Sequence, residues 1–90
     1  MAAAEARRNN TVVVPVVILL DTYRVEARLH LPEHGGRFSD AWEAVMRDER
    51  DYLPVTDVRI QTLDGGEVVE SPFIEVRKAD IRAVFPLEAV

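Results

Sequence analysis

Ninety residues make one small domain, and a chain of this length buries only about 60–65% of its unfolded surface. Apolar residues at 48% and charged residues at 30% are ordinary for a globular fold, while the lack of cysteine excludes disulfides, thiolate catalysis and cysteine-ligated zinc. Sixteen acidic against eleven basic residues leave a net charge of −5, a field that opposes nonspecific binding to DNA or RNA.

Residues 1–10, MAAAEARRNN, read as a flexible arm, with a single domain expected over 11–90. Arg7-Arg8 ahead of TVVVPVVILL imitates a secretion signal. The apolar run is only ten residues long, however, and it ends at Asp21 without a small-residue cleavage site. It is also too short to span a bilayer. The expectation is a buried first strand over 12–20, in a cytoplasmic protein with no membrane contact. Its nearly continuous apolar pattern implies cover on both faces, and Pro15 must sit where no ladder donor is needed. Asp21-Thr22 is a turn. Tyr23, Val25, Ala27, Leu29 and Leu31 then alternate with Arg24, Glu26, Arg28 and His30, so one face packs and the other is wet. These two strands form a hairpin.

Residues 32–37, PEHGGR, are a loop, after which Ser39 or Asp40 caps a helix. Asp40 and Glu43 have capping-box spacing. Phe38, Ala41, Trp42, Val45 and Met46 fall on one helical face, and Glu43 and Arg47 form an i,i+4 pair on the other. The helix ends within 48–51, before Pro54. It is too short to stand on propensity and must dock, with Trp42 as the core anchor plugging one end of the barrel.

The stretch that organises the chain is 53–86, read as three consecutive strands and two turns. Val58, Ile60 and Thr62 alternate with polar neighbours. Asp64-Gly65-Gly66 is a hairpin turn. Val68 and Val69 restart the pattern, and Ser71-Pro72 marks an edge, a bulge or a break. Residues 73–76 resume the strand, 77–80 turn, and 81–85 close before Pro86. The order β-β-α-β-β-β predicts a mainly β protein: a small five-stranded Sm-like or SH3-like barrel with one short helix between strands 2 and 3.

The closing segment, FIEVRKADIRAVFP, resembles the second signature of Sm-like proteins, above all the bacterial Hfq-like RNA chaperones, through Val76, Lys78, Ile81, Val84 and Pro86. The family's RNA-contacting His is absent from this turn, where Ala79 or Asp80 stands. GRFSD, LPVTDV and VRKADI together resemble a family of short, uncharacterised bacterial proteins with predicted Sm-like barrels. The resemblance implies a small barrel, and by analogy with Sm-like rings it places Arg77 and Lys78 near bound RNA.

His30, Glu33 and His34 match H-x-x-E-H, but that zinc pattern works on a helix, and Pro32 lies inside it here. No nucleophile motif, phosphate-cradling glycine loop or paired buried carboxylates occurs. Asp48, Glu49 and Asp51 beside Arg47 and Arg50 read as a solvated helix end. No enzyme activity, metal or cofactor is expected. Arg59, Arg77, Lys78 and Arg82 are candidate nucleic-acid contacts, weighed against pairing with Glu67, Glu70 and Glu75 across the sheet. Edge strands need cover, and Ile81, Val84 and Phe85 are candidates for an oligomer interface. The expected function is a self-associating interaction or regulatory module, with a homo-oligomer and a further protein as partners. The alternative is an Sm-like ring binding RNA or single-stranded nucleic acid through the Arg77-Lys78 turn, which the net charge disfavours.

Overall fold

The computed structural model describes residues 11–32 and 37–87. The expected arm over 1–10 and the Glu33 and His34 positions lie outside the described residues. The chain runs through β1 (Thr11–Leu19), β2 (Tyr23–Pro32), helix α1 (Phe38–Arg47), β3 (Tyr52–Thr62), β4 (Val68–Arg77), a 3-10 turn (Lys78–Asp80) and β5 (Ala83–Pro86). All five strands join one antiparallel sheet in the order β4-β3-β2-β1-β5. The β-β-α-β-β-β order is therefore as read. The arrangement of the organising stretch is not: β5 follows β4 in the chain but lies at the opposite edge, against β1. No ladder joins β4 to β5 among the described residues, so the sheet is open.

The sheet is nonetheless bent, as its connections require. Arg77 stands opposite Tyr52, and Ala83 aligns through Leu19 and Arg24 with Gln61, near the far end of β3. On a flat sheet these two residues would be about 30 Å apart, from four interstrand steps of about 4.8 Å and roughly 25 Å or more along the strands. The six peptide steps from Arg77 to Ala83 reach at most about 20 Å. The sheet must curl until its edges approach across the 3-10 turn.

Asp57 supplies the bend. Arg28 faces Thr56 and Glu26 faces Arg59, so β3 carries one more residue than β2 across this interval. The extra residue is Asp57, with φ +51°, the left-handed region that aspartate tolerates better than most side chains. The bulge also shifts the phase of β3. Leu53 and Val55 are buried before it and Val58 after it, so both halves face the interior of a sheet that has changed direction.

The core follows the sequence pattern closely. Val25, Ala27, Leu29 and Leu31 line one face of β2, with Val16, Ile18, Leu53, Val55, Val58, Val76 and Ala41 in the same cluster. Val16, Val17 and Ile18 are all fully buried, so the middle of β1 is covered on both faces as its composition required. Pro15 sits just beyond the reach of β5: its carbonyl accepts from Leu87 N–H at 2.8 Å, and no residue of β5 asks it for a donor. The Asp64-Gly65 turn is tied by Thr62, whose hydroxyl meets Asp64 Oδ1 at 2.6 Å and accepts from Gly66 N–H at 2.9 Å. Gly65 has φ +87°, and a Cβ on Gly66 would collide with Thr62 Oγ1.

Helix α1 starts earlier than its capping pattern suggests. Arg37 is the N-cap, no side chain caps it, and Asp40 lies inside the first turn in an ion pair with Arg37 at 3.8 Å. The Ser39 and Asp40 caps are thus corrected: Phe38 begins the helix because it packs on the core and stacks with Trp42, ring centroids 6.2 Å apart. Ala41 is the helix residue that is fully buried. Trp42 is half-buried and shares the plugging of the sheet with Phe38 and Val45. Glu43 and Arg47 pair at 3.5 Å as expected.

Candidate functional site

The free edges of the sheet are where this fold can meet another molecule, and the hydrogen-bond phase shows what each edge offers. Leu87 N–H donates to Pro15 on β1. By the alternation of an antiparallel ladder, Ala83 and Phe85 also face β1, while Val84 and Pro86 face away. Val84 therefore presents a donor and an acceptor outward, and Pro86 an acceptor only. Phe85 and Leu87 remain 44% and 46% exposed on this edge. Ile81 and Val84, proposed from sequence as interface residues, turn their side chains toward the core. Phe85 is the exposed side chain of that set.

On β4 the phase changes midway. Lys78 N–H donates to Asp51 at 2.8 Å, so Val76 and Ile74 face β3 in the lower half and Phe73, Glu75 and Arg77 face outward. Leu63 N–H donates to Thr22 at 3.0 Å, which commits Arg59 and Gln61 to β2 and leaves Ser71 and Val69 facing β3 in the upper half. Pro72 and Phe73 stand at the change. Pro72 has no N–H, and Phe73 N–H donates to Ser71 Oγ at 3.3 Å while that hydroxyl donates to Phe73 carbonyl at 2.9 Å. The middle of this edge is thus blunted, which realises the Ser71-Pro72 interruption without ending the strand. Val69 and Phe73 are 57% and 52% exposed on either side of it.

Inside the curl, between β4 and the β1–β2 corner, lies a groove of about 650 Å³. Leu20, Tyr23, Ile60, Val69 and Ile74 give it an apolar lining, and Tyr52, Glu75, Arg77 and Asp80 stand along it. Sequence reading missed this groove because it joins residues from four elements. Val69 was the available signal: an exposed aliphatic residue opposite the half-buried Ile60.

The four basic candidates do not gather at one place. Arg59 lies between Glu70 at 3.5 Å and Glu26 at 3.9 Å, and Glu26 also pairs with Arg24. Arg82 pairs with Asp21 at 3.1 Å. Lys78 Nζ donates to the carbonyls of Val45 at 2.7 Å and Asp48 at 3.1 Å, in the last turn of α1. A cation at a helix C-terminus satisfies carbonyls that have no intrahelical donor and opposes the negative end of the dipole. Arg77 is exposed on the outward edge of β4. The Arg50 guanidinium, hydrogen-bonded to Asp48, holds that carboxyl below the ordinary aspartate range, and Lys78 adds to the effect. His30 Nε2 lies 3.1 Å from Thr56 Oγ1. Among the described residues no group of three or more potential ligands could hold a metal, and no helix is long and apolar enough to cross a membrane.

No family model matches the chain, and neither a curated protein nor a solved structure does.

Proposed function

We propose that this chain is a non-enzymatic, Sm-like small barrel module that self-associates through its edge strands and acts as an interaction or regulatory element. The supporting observation is that among the described residues one curved sheet keeps two unpaired edges, β5 with Phe85 and Leu87 exposed and β4 with Val68, Val69 and Phe73 exposed. The unpaired edge of a small sheet with exposed apolar side chains is a template for pairing with another chain. Pairing that joins unlike edges makes rings or filaments, and pairing of like edges makes a two-fold dimer. Nucleic-acid binding through Arg59, Arg77, Lys78 and Arg82 has less support. Three of the four engage partners within the chain, and the net charge is −5.

Light scattering at two salt concentrations, with the absorbance ratio checked for nucleic acid, tests this reading. A discrete multimer free of nucleic acid is expected. Val84→Pro removes an outward donor without touching the ladder to β1, and it should lower the mass while circular dichroism stays that of a folded protein. A monomeric parent protein overturns self-association, and a multimer that carries RNA moves the function to the ring reading.

A further inference from the structure

The groove beside β4 has three properties that together select a ligand class. Its floor is apolar, with Ile74 half-buried and Val69 exposed, and its volume of about 650 Å³ lies within the usual range of binding sites. Its rim is acidic: Glu75 and Asp80 line the groove, while Glu49 and Asp51 line an adjoining hollow that shares Tyr52 and Arg77 with it. None of these four carboxylates has an ion-pair partner among the described residues. Of the nearby cations Arg50 is bonded to Asp48 and Lys78 is turned to the helix carbonyls, so Arg77, which lines both hollows, is the cation left facing these four carboxylates and they outnumber it. Finally, β4 turns the N–H and C=O groups of Glu75 and Arg77 outward, and no strand among the described residues pairs with them.

We propose that this groove takes an extended segment of a partner protein, added as a strand along the lower half of β4, with apolar and basic residues alternating. Main-chain bonds to Glu75 and Arg77 give affinity, as in other strand additions. Alternate apolar side chains of the guest enter beside Ile74 and Val76, and Lys or Arg at the intervening positions meet Glu75 and Asp80. Pro72 and the Ser71 hydroxyl stop pairing above Phe73, so the footprint is about five residues. The inference rests on the reading of the chain as an interaction module, and it does not require self-association.

Fluorescence anisotropy with an end-blocked, labelled heptapeptide alternating Val and Lys tests it. Controls are a peptide of the same composition with Val and Lys in blocks and one alternating Val and Glu. The alternating Val/Lys peptide should bind about tenfold or more tighter than either control. Glu75→Lys should weaken it about fivefold or more through charge. Glu75→Pro, which removes an outward-facing donor together with the carboxylate, should weaken it about tenfold, more than Glu75→Gln, which keeps the donor, with the thermal midpoint nearly unchanged. Equal binding of the alternating and blocked peptides overturns the proposal, as does undiminished binding by folded Glu75→Pro. Light scattering on the same samples separates it from the self-association reading. Peptide bound to a monomer, or to a multimer of unchanged mass, supports the groove. Peptide that dissolves the multimer makes a second copy the occupant and overturns the partner assignment.

Discussion

Lys78 places its ammonium at the C-terminal end of α1, on the Val45 carbonyl, which otherwise has only a long 3.3 Å bond from Asp48 N–H, and on the Asp48 carbonyl, and the two bonds connect residues 33 and 30 positions apart. Lys78→Met keeps the aliphatic stem and loses the charge. It should cost about 1–2 kcal/mol in urea unfolding, since charge-assisted bonds in half-exposed settings fall near that size. Asp57 makes a second residue-scale prediction. Asp57→Gly relieves a left-handed conformation that a Cβ disfavours, so it should be neutral or mildly stabilising, while Asp57→Val should cost about 1–2 kcal/mol through the same φ. Asp48 gives a pH signature. Its folded pKa is depressed by Arg50, so the contribution of this turn is present above the ordinary aspartate pKa and is lost as pH falls through the lower folded value. An NMR titration should show the Arg50 amide, which donates to Asp48 Oδ1 at 2.9 Å, shifting only at the acid end of the carboxylate range.

Elements differ in how much of themselves they wrote into the sequence. The β2 alternation predicted its buried face from Val25 to Leu31, where each inward side chain has a core neighbour, but not at Tyr23, which was read onto the same face and is 44% exposed. β1 was legible in its middle, where Val16, Val17 and Ile18 are buried on both faces, but not at Val12 and Val13, which are 44% and 43% exposed. Helix α1 was legible in extent but not in its cap, because Phe38 and Trp42 packing outweighs the local preference of Ser39 and Asp40. The half-buried setting of Trp42 lowers its weight as an anchor: Trp42→Ala should cost about 2 kcal/mol, below the 3–5 typical of full burial. On β4, the Ser71-Pro72 step was visible as an interruption, but its work as an edge guard depends on a hydroxyl bonding two residues along. Ser71→Ala frees the Phe73 N–H, and the variant should self-associate or aggregate at lower concentration than the parent protein in static light scattering.

At the scale of the whole molecule, curvature is the property that no single stretch records. It follows from the short connection between β4 and β5 together with the extra residue at Asp57, and neither alone signals a groove. The basic residues show the same limit from the other side. Arg59, Arg77, Lys78 and Arg82 look like a patch in the sequence, yet folding sends Arg59, Lys78 and Arg82 to three different partners and leaves Arg77 exposed on the outer edge of β4. Charge lists become sites only after register is known.

The placement of β5 against β1 has a consequence for how the chain is made. Leu19 and Ala83 are partners in the ladder, so β1 gains its second neighbour only after the intervening residues have been synthesised. Until then Val16, Val17 and Ile18 stand on a one-sided hairpin with an open flank. Pairings of such long sequence separation form late and slowly, and a nascent apolar strand waiting for its mate is where aggregation begins. A ribosome stalled before residue 83 should therefore display a hairpin that aggregates more readily than the finished chain.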